Sequence, residues 1–195
     1  MRSGRILCLL GGPFLLACTV VTQTRFRTPE IIPAQIMSAE LPALNRPGPI
    51  KLSSYDCRVV VLALWAPWCG PCKFSMPALD KLSNDYRNRE IEVVGLVELE
   101  ANSDMDGLRF YLQQLKIPFT NLLMTKEISE GLDPDHVLPV TFVITSDGTV
   151  FRRFIGWDYQ KTPQLLRKTV KEALDSKAKR RSSPGFFQTP NLMLN

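Results

Sequence analysis

Residues Arg58–Lys73 read Arg-Val-Val-Val-Leu-Ala-Leu-Trp-Ala-Pro-Trp-Cys-Gly-Pro-Cys-Lys. The first eight form a near-continuous apolar run, as in a strand covered on both faces. The spacing after Cys69 predicts a helix from Gly70 to Tyr86, with Leu79, Leu82 and Tyr86 on one face and Pro77 as a kink. Two cysteines, Cys69 and Cys72, therefore stand where a buried strand gives way to a helix. Unpaired N–H groups and the positive end of the helix dipole stabilise a thiolate at Cys69. Cys72 lies one turn further in, shielded, and suits the attack on a mixed disulfide formed at Cys69. Zinc sites share this spacing but need a second pair of ligands, for which Cys57 and His136 are the remaining candidates. The strand–CxxC–helix context favours redox chemistry.

Strands and helices alternate beyond this stretch. Ile91–Leu99 predicts a second buried strand. Ser103 with Asp106 has the form of a capping box, and Leu108, Tyr111, Leu112 and Leu115 lie on one face of the helix that follows. Phe119–Met124 predicts a short strand and Glu127–Leu132 a short helix. Val140–Thr145 and Thr149–Ile155 form a hairpin through Ser146-Asp147-Gly148. Thr162 is placed to cap a last helix with Pro163 at its first position and Leu165, Leu166, Val170, Ala173 and Leu174 on its apolar side. A parallel βαβ unit followed by a hairpin and a helix predicts an α/β sandwich with a mixed central sheet.

The chain has 195 residues, 45% hydrophobic and 22% charged. That is one domain of ordinary composition, neither wholly disordered nor collagen-like. A single histidine excludes any site built on two imidazoles. The formal charge of +5 is carried by the ends: Arg2 and Arg5 at one, and Lys177, Lys179, Arg180 and Arg181 at the other, which leaves −1 for residues 18–175. A nearly neutral body and a solvated basic tail argue against nucleic acid as a partner. Met1–Arg5 is short and positive, and Ile6–Ala17 is apolar apart from Gly11, Gly12 and Pro13. These are the marks of an export signal. Leu15-Leu16-Ala17-Cys18 is similar to a bacterial lipobox, which predicts a signal peptide over 1–17 and lipid on Cys18; an uncleaved anchor is the other reading. Either one tethers the domain to a membrane outside the cytosol. Five prolines between residues 22 and 49 and the lack of a period predict a stalk, set at 18–41. The domain is placed at 42–175, and 176–195 is expected to fray as a basic tail.

Trp65–Lys73, then Pro77, Leu138-Pro139-Val140-Thr141-Phe142 and Asp147-Gly148, together resemble thioredoxin-fold proteins over residues 42–175. The extra strand and helix between Val97 and Asp133, and Leu52-Ser53 before the first core strand, are similar to the TlpA/ResA-type subgroup of exported, membrane-tethered thiol–disulfide oxidoreductases. The resemblance implies a thioredoxin fold with an N-terminal extension and a central βα insertion, and no cofactor or metal. It implies Cys69 as attacking thiol and Cys72 as resolving thiol, the two forming a redox-active disulfide. Pro139 becomes a cis-proline facing the pair, exposing the backbone of Leu138 to an extended substrate peptide. Trp68 shapes the surface beside Cys69, and Trp65 belongs to the core.

The sequence departs from the family at two positions. Thioredoxins carry a buried aspartate where this chain has Ala63, and ResA-like enzymes of cytochrome c maturation carry a glutamate where it has Ser75. Water, Glu98 and Glu100 are the candidates for moving the proton instead. The implied partners are cysteine-containing exported proteins, with a membrane protein as electron donor if the protein is a reductase. Gly70-Pro71 is the thioredoxin dipeptide and goes with a reducing couple, near about −270 mV in thioredoxin. An oxidase or isomerase, a Cu(I)-handling chaperone using the same thiols with His136, and a redox-sensing or peptide-binding module are the other readings. Cys57 reads as a partly covered inert thiol and His136 as a solvated loop residue, an approach to the active site from the opposite loop being its other reading.

Overall fold

The computed structural model describes residues 31–182 apart from 56, 87–89, 100–103 and 134. The expected signal peptide, Cys18, Glu100, Ser103 and the residues beyond 182 lie outside the described residues. Strand β3 (Val59–Trp65) is buried at every position, as its unbroken apolar run requires. It occupies the middle of a five-stranded sheet with β4 (Ile91–Val97), β5 (Thr120–Leu123), β6 (Val140–Thr145) and β7 (Val150–Ile155), in the order β5-β4-β3-β6-β7. β3, β4 and β5 run parallel, while β6 is antiparallel to β3 and β7 to β6. Two short strands, β1 (Leu41–Pro42) and β2 (Pro49–Ile50), pair apart from it.

The period of two along β3 divides the core. Val59, Val61, Ala63 and Trp65 pack with residues of α2 (Gly70–Asp85), α3 (Met105–Gln114) and α5 (Thr162–Ser182). Val60, Leu62 and Leu64 face the opposite side, against α1 (Ala34–Ser38) and α4 (Lys126–Leu132). The result is the thioredoxin fold, a mixed sheet between two helical layers, with an N-terminal extension and with α3 and β5 inserted after β4.

The elements fall within a residue or two of the expected ones, and the differences have local causes. Asp104 is the N-cap of α3: its carboxylate accepts the N–H of Asp106 at 3.0 Å. Thr162 is not a conventional cap. Its hydroxyl accepts the N–H of Asp158 at 3.0 Å, and the Asp158 carboxylate takes the N–H groups of Gln160 and Lys161 at 2.9 Å each. Those two N–H groups hold the Asp158 carboxyl below its ordinary range. Helix α5 continues to Ser182, past the boundary set at 175.

The larger correction concerns the stalk. Residues 31–41 do not stand off from the domain; they pack on it. Ile32 and Leu41 are each only 1% exposed, and Ile36 and Met37 are buried in the same core as Phe142 and Leu132. The Ile32 N–H donates to the Gly148 carbonyl at 2.8 Å, and Ile31 bridges to Thr149. Helix α1 has five residues, too few to display a 3.6-residue period, and its flanking prolines read as linker composition. No helix among the described residues is long and apolar enough to cross a membrane.

Candidate active site

The chain leaves β3 at Trp65 and enters α2 at Gly70 through a tight turn, in which the Cys69 N–H donates to the Ala66 carbonyl at 3.1 Å. Cys69 is the N-cap of α2, in extended conformation, and Pro71 sits in the first turn, where a missing N–H costs nothing. The Cys72 N–H points at the Cys69 sulfur, 3.2 Å away. Cys69 and Cys72 are joined as a disulfide. Cys69 keeps 8% of its surface open and Cys72 none. The two sulfurs are thus unequal in access, and the outer one lies at the positive end of a 16-residue helix whose first turn carries no acid.

Ala63 and Ser75 are both buried. Ala63 sits between Gly95 on β4 and Thr141 on β6. The Ser75 hydroxyl donates to the Cys72 carbonyl at 2.7 Å. Neither supplies a group that ionises near neutral pH.

A cleft of about 510 Å³ opens over Cys69. Trp68, Cys69, Gly70 and Pro71 of the β3–α2 turn wall it on one flank; Glu98, after β4, and His136 and Leu138, before β6, complete it. Trp68 is half exposed at its rim. The Leu138–Pro139 peptide bond is cis, as the resemblance implied. Leu138 is part of the cleft wall and Pro139 is not; the Pro139 carbonyl accepts the Gly156 N–H at 2.8 Å. The structure therefore brings Trp68, Cys69 and Leu138 together at one opening, with Cys72 behind Cys69. Cys57 is remote from it, half-buried, its thiol donating to the Val59 carbonyl at 3.3 Å.

His136 is a loop residue whose side chain is 53% exposed, and it also lines the cleft. Its backbone is left-handed at φ 49°, its N–H donates to the Asp133 carbonyl at 3.0 Å, and its Nδ1 lies 3.8 Å from Glu98 Oε1 and 3.5 Å from Ser129 Oγ. Asp133 and Arg153 form an ion pair whose side chains are 2% and 3% exposed. Burial pushes the Asp133 carboxyl up, and the Arg153 guanidinium beside it opposes that shift. This buried pair fastens the start of the 133–139 loop to β7.

Sequence reasoning missed the polar brace under the turn. The Trp65 indole N–H donates to Asn121 Oδ1 at 3.0 Å, and Asn121 Nδ2 donates to the Phe119 carbonyl at 2.9 Å. Asn45 of the N-terminal extension accepts the Asn121 N–H at 2.8 Å. An asparagine inside an apolar strand was the visible signal, since a buried amide persists only when its partners are supplied.

The Redoxin family model matches residues 32–169, which begins at Ile32, the first buried residue among those described. The chain belongs to the Redoxin family. Among its relatives, the thiol-disulfide oxidoreductase ResA of a Bacillus cereus strain is 30% identical over 109 residues, covering 55% of this chain and 60% of ResA. Thioredoxin-T of Drosophila melanogaster is 30% identical over 125 residues, 62% of each protein. The chain thus spans less than two thirds of the length of these two. A putative thiol:disulfide interchange protein DsbE from Chlorobium tepidum superposes with a TM-score of 0.63 at 27% identity, covering 74% of this chain and 96% of that one. This Redoxin-family chain is thus similar to proteins named thiol-disulfide oxidoreductases, with Cys69 and Cys72 as its cysteine pair.

Proposed function

We propose that this Redoxin-family protein works outside the cytosol and reduces disulfides in exported proteins. In this reading residues 1–17 are a signal peptide, and lipid on Cys18, or an uncleaved anchor, holds the domain at a membrane. The observation that carries the chemistry is the unequal access of the two sulfurs: Cys69 opens onto the cleft and Cys72 is fully enclosed. In the reduced protein the Cys69 thiolate attacks a substrate disulfide. A Cys69–substrate bond forms, the substrate bond breaks, and one substrate thiolate leaves. Cys72 then attacks Cys69, closing the protein disulfide and releasing the second substrate thiol. Two electrons pass from the protein dithiol to the substrate.

Several features support this assignment. The Cys72 N–H is aimed at the Cys69 sulfur and the α2 N-terminus lies beneath it, so negative charge there is stabilised. Leu138 borders the cleft beside a cis-proline, a place for an extended peptide to lie along backbone. Gly70-Pro71 favours the reducing direction, for which a membrane protein that carries electrons across would re-reduce the pair.

The test is capture in cells. With Cys72 replaced by serine, the mixed disulfide at Cys69 has no internal thiol to resolve it. Exported cysteine-containing proteins are expected on Cys69 in non-reducing gels. Capture of cytosolic proteins alone, or of none, contradicts the assignment.

A further inference from the structure

Exchange moves protons as well as electrons: a thiol must lose one before it attacks, and the leaving sulfur must gain one. Besides Cys69, the cleft wall carries only two ionisable side chains among the described residues, Glu98 and His136. They come from different elements, the end of β4 and the loop before β6, and each is anchored by its backbone. The Glu98 N–H donates to the carbonyl of Trp65, the last residue of β3, at 2.9 Å. His136 holds a left-handed backbone that L side chains rarely adopt, on a loop tied down by the Asp133–Arg153 pair. Their side chains meet at 3.8 Å.

The geometry points to Glu98 and His136 as the proton-handling pair of the exchange reaction. The inference rests on the thiol–disulfide exchange proposed above. The Cys69 thiol passes its proton to the imidazole, and the Glu98 carboxylate balances the imidazolium that forms. The Cys69 thiolate attacks, one S–S bond forms as another breaks, and the leaving thiolate takes the proton from the imidazolium. The pair ends as it began. Imidazole suits the task because it gains and loses a proton near neutral pH. The other charges around it are Asp133 and Asp135 on its own loop and Arg153 of β7, which is spent on Asp133. Ser129 of α4 and Trp68 of the turn add no charge, and the Lys73 ammonium lies over the Tyr111 ring.

The test uses the purified full chain in reduced form, with iodoacetamide as probe of Cys69 and oxidised glutathione as disulfide. The pH profile of the wild-type alkylation rate is expected to show a step from the imidazole, besides the thiol's own ionisation. His136→Asn keeps a residue that tolerates the left-handed backbone; it is expected to lose the step and to slow exchange about tenfold or more. Glu98→Gln is expected to displace the step, and the double variant to be no slower than His136→Asn within about twofold, as for residues acting as one unit. A step that persists unmoved in both variants overturns the pairing, whatever the rates. So does exchange by His136→Asn within about twofold of wild type. A wild-type protein that reduces no disulfide overturns the exchange reading itself, whereas an active wild type matched by its variants overturns the pair alone.

Discussion

Replacing Cys69 by serine is expected to reduce catalysed disulfide exchange to the uncatalysed rate, a loss of about a thousandfold or more. A hydroxyl at the N-cap of α2 still accepts the Cys72 N–H, so the helix start survives. A serine oxygen, however, cannot form the mixed disulfide on which exchange depends. Cys72 offers no substitute, since none of its surface reaches solvent. Cys72→Ser fails differently. Cys69 keeps its place on the cleft, its helix dipole and its access, so the first attack proceeds once per chain and then stops at the mixed disulfide. Stopped-flow kinetics with a disulfide-bonded substrate separates the two: no burst for Cys69→Ser, and one equivalent without turnover for Cys72→Ser. Equal bursts from both variants would contradict the division of roles that burial dictates.

Gly95→Ala is the second large effect, and it acts from beneath the site. A Cβ on Gly95 would lie 2.2 Å from Asn121 Oδ1 and 2.9 Å from Trp65 Nε1. Gly95 pairs with Ala63 on one side and Asn121 on the other, so its backbone is held from both sides. The Asn121 amide must then give way, and its bond to the Trp65 indole breaks. An overpacked core and an orphaned buried donor together are expected to cost about 3 kcal/mol. Urea denaturation should show a lower midpoint at unchanged slope. The disturbance should also reach the cleft, since the Trp65 carbonyl accepts the Glu98 N–H. A loss under about 1 kcal/mol would mean that the Trp65–Asn121 brace relaxes without cost.

The central strand, the cysteine turn and the hairpin were legible because each carries a strong local signal. β3 is an unbroken apolar run, Cys69 and Cys72 stand at a strand-to-helix junction, and Asp147-Gly148 marks the turn before β7. Residues 31–41 were misread because their signal is tertiary: Ile32, Ile36, Met37 and Leu41 show no period, and only the sheet they cover explains them. Trp68, Cys69 and Leu138 could be placed at one opening from the motif and its resemblance. The approach of His136 to Glu98 could not. The two lie 38 positions apart in sequence, and their meeting depends on a left-handed residue and on a buried Asp133–Arg153 pair that no short pattern announces. The Trp65–Asn121 brace was hidden likewise, because one strand donates and another accepts.

The measurement that tests the central claim most directly is the reduction potential of the Cys69–Cys72 pair in the full chain, equilibrated against glutathione buffers and read by thiol alkylation. A two-electron couple at or below about −250 mV is the predicted result, as for a reductase re-reduced by a dedicated donor. A value between about −120 and −180 mV would contradict the reducing direction and describe an oxidase or isomerase, and the absence of any two-electron couple would contradict the exchange chemistry altogether.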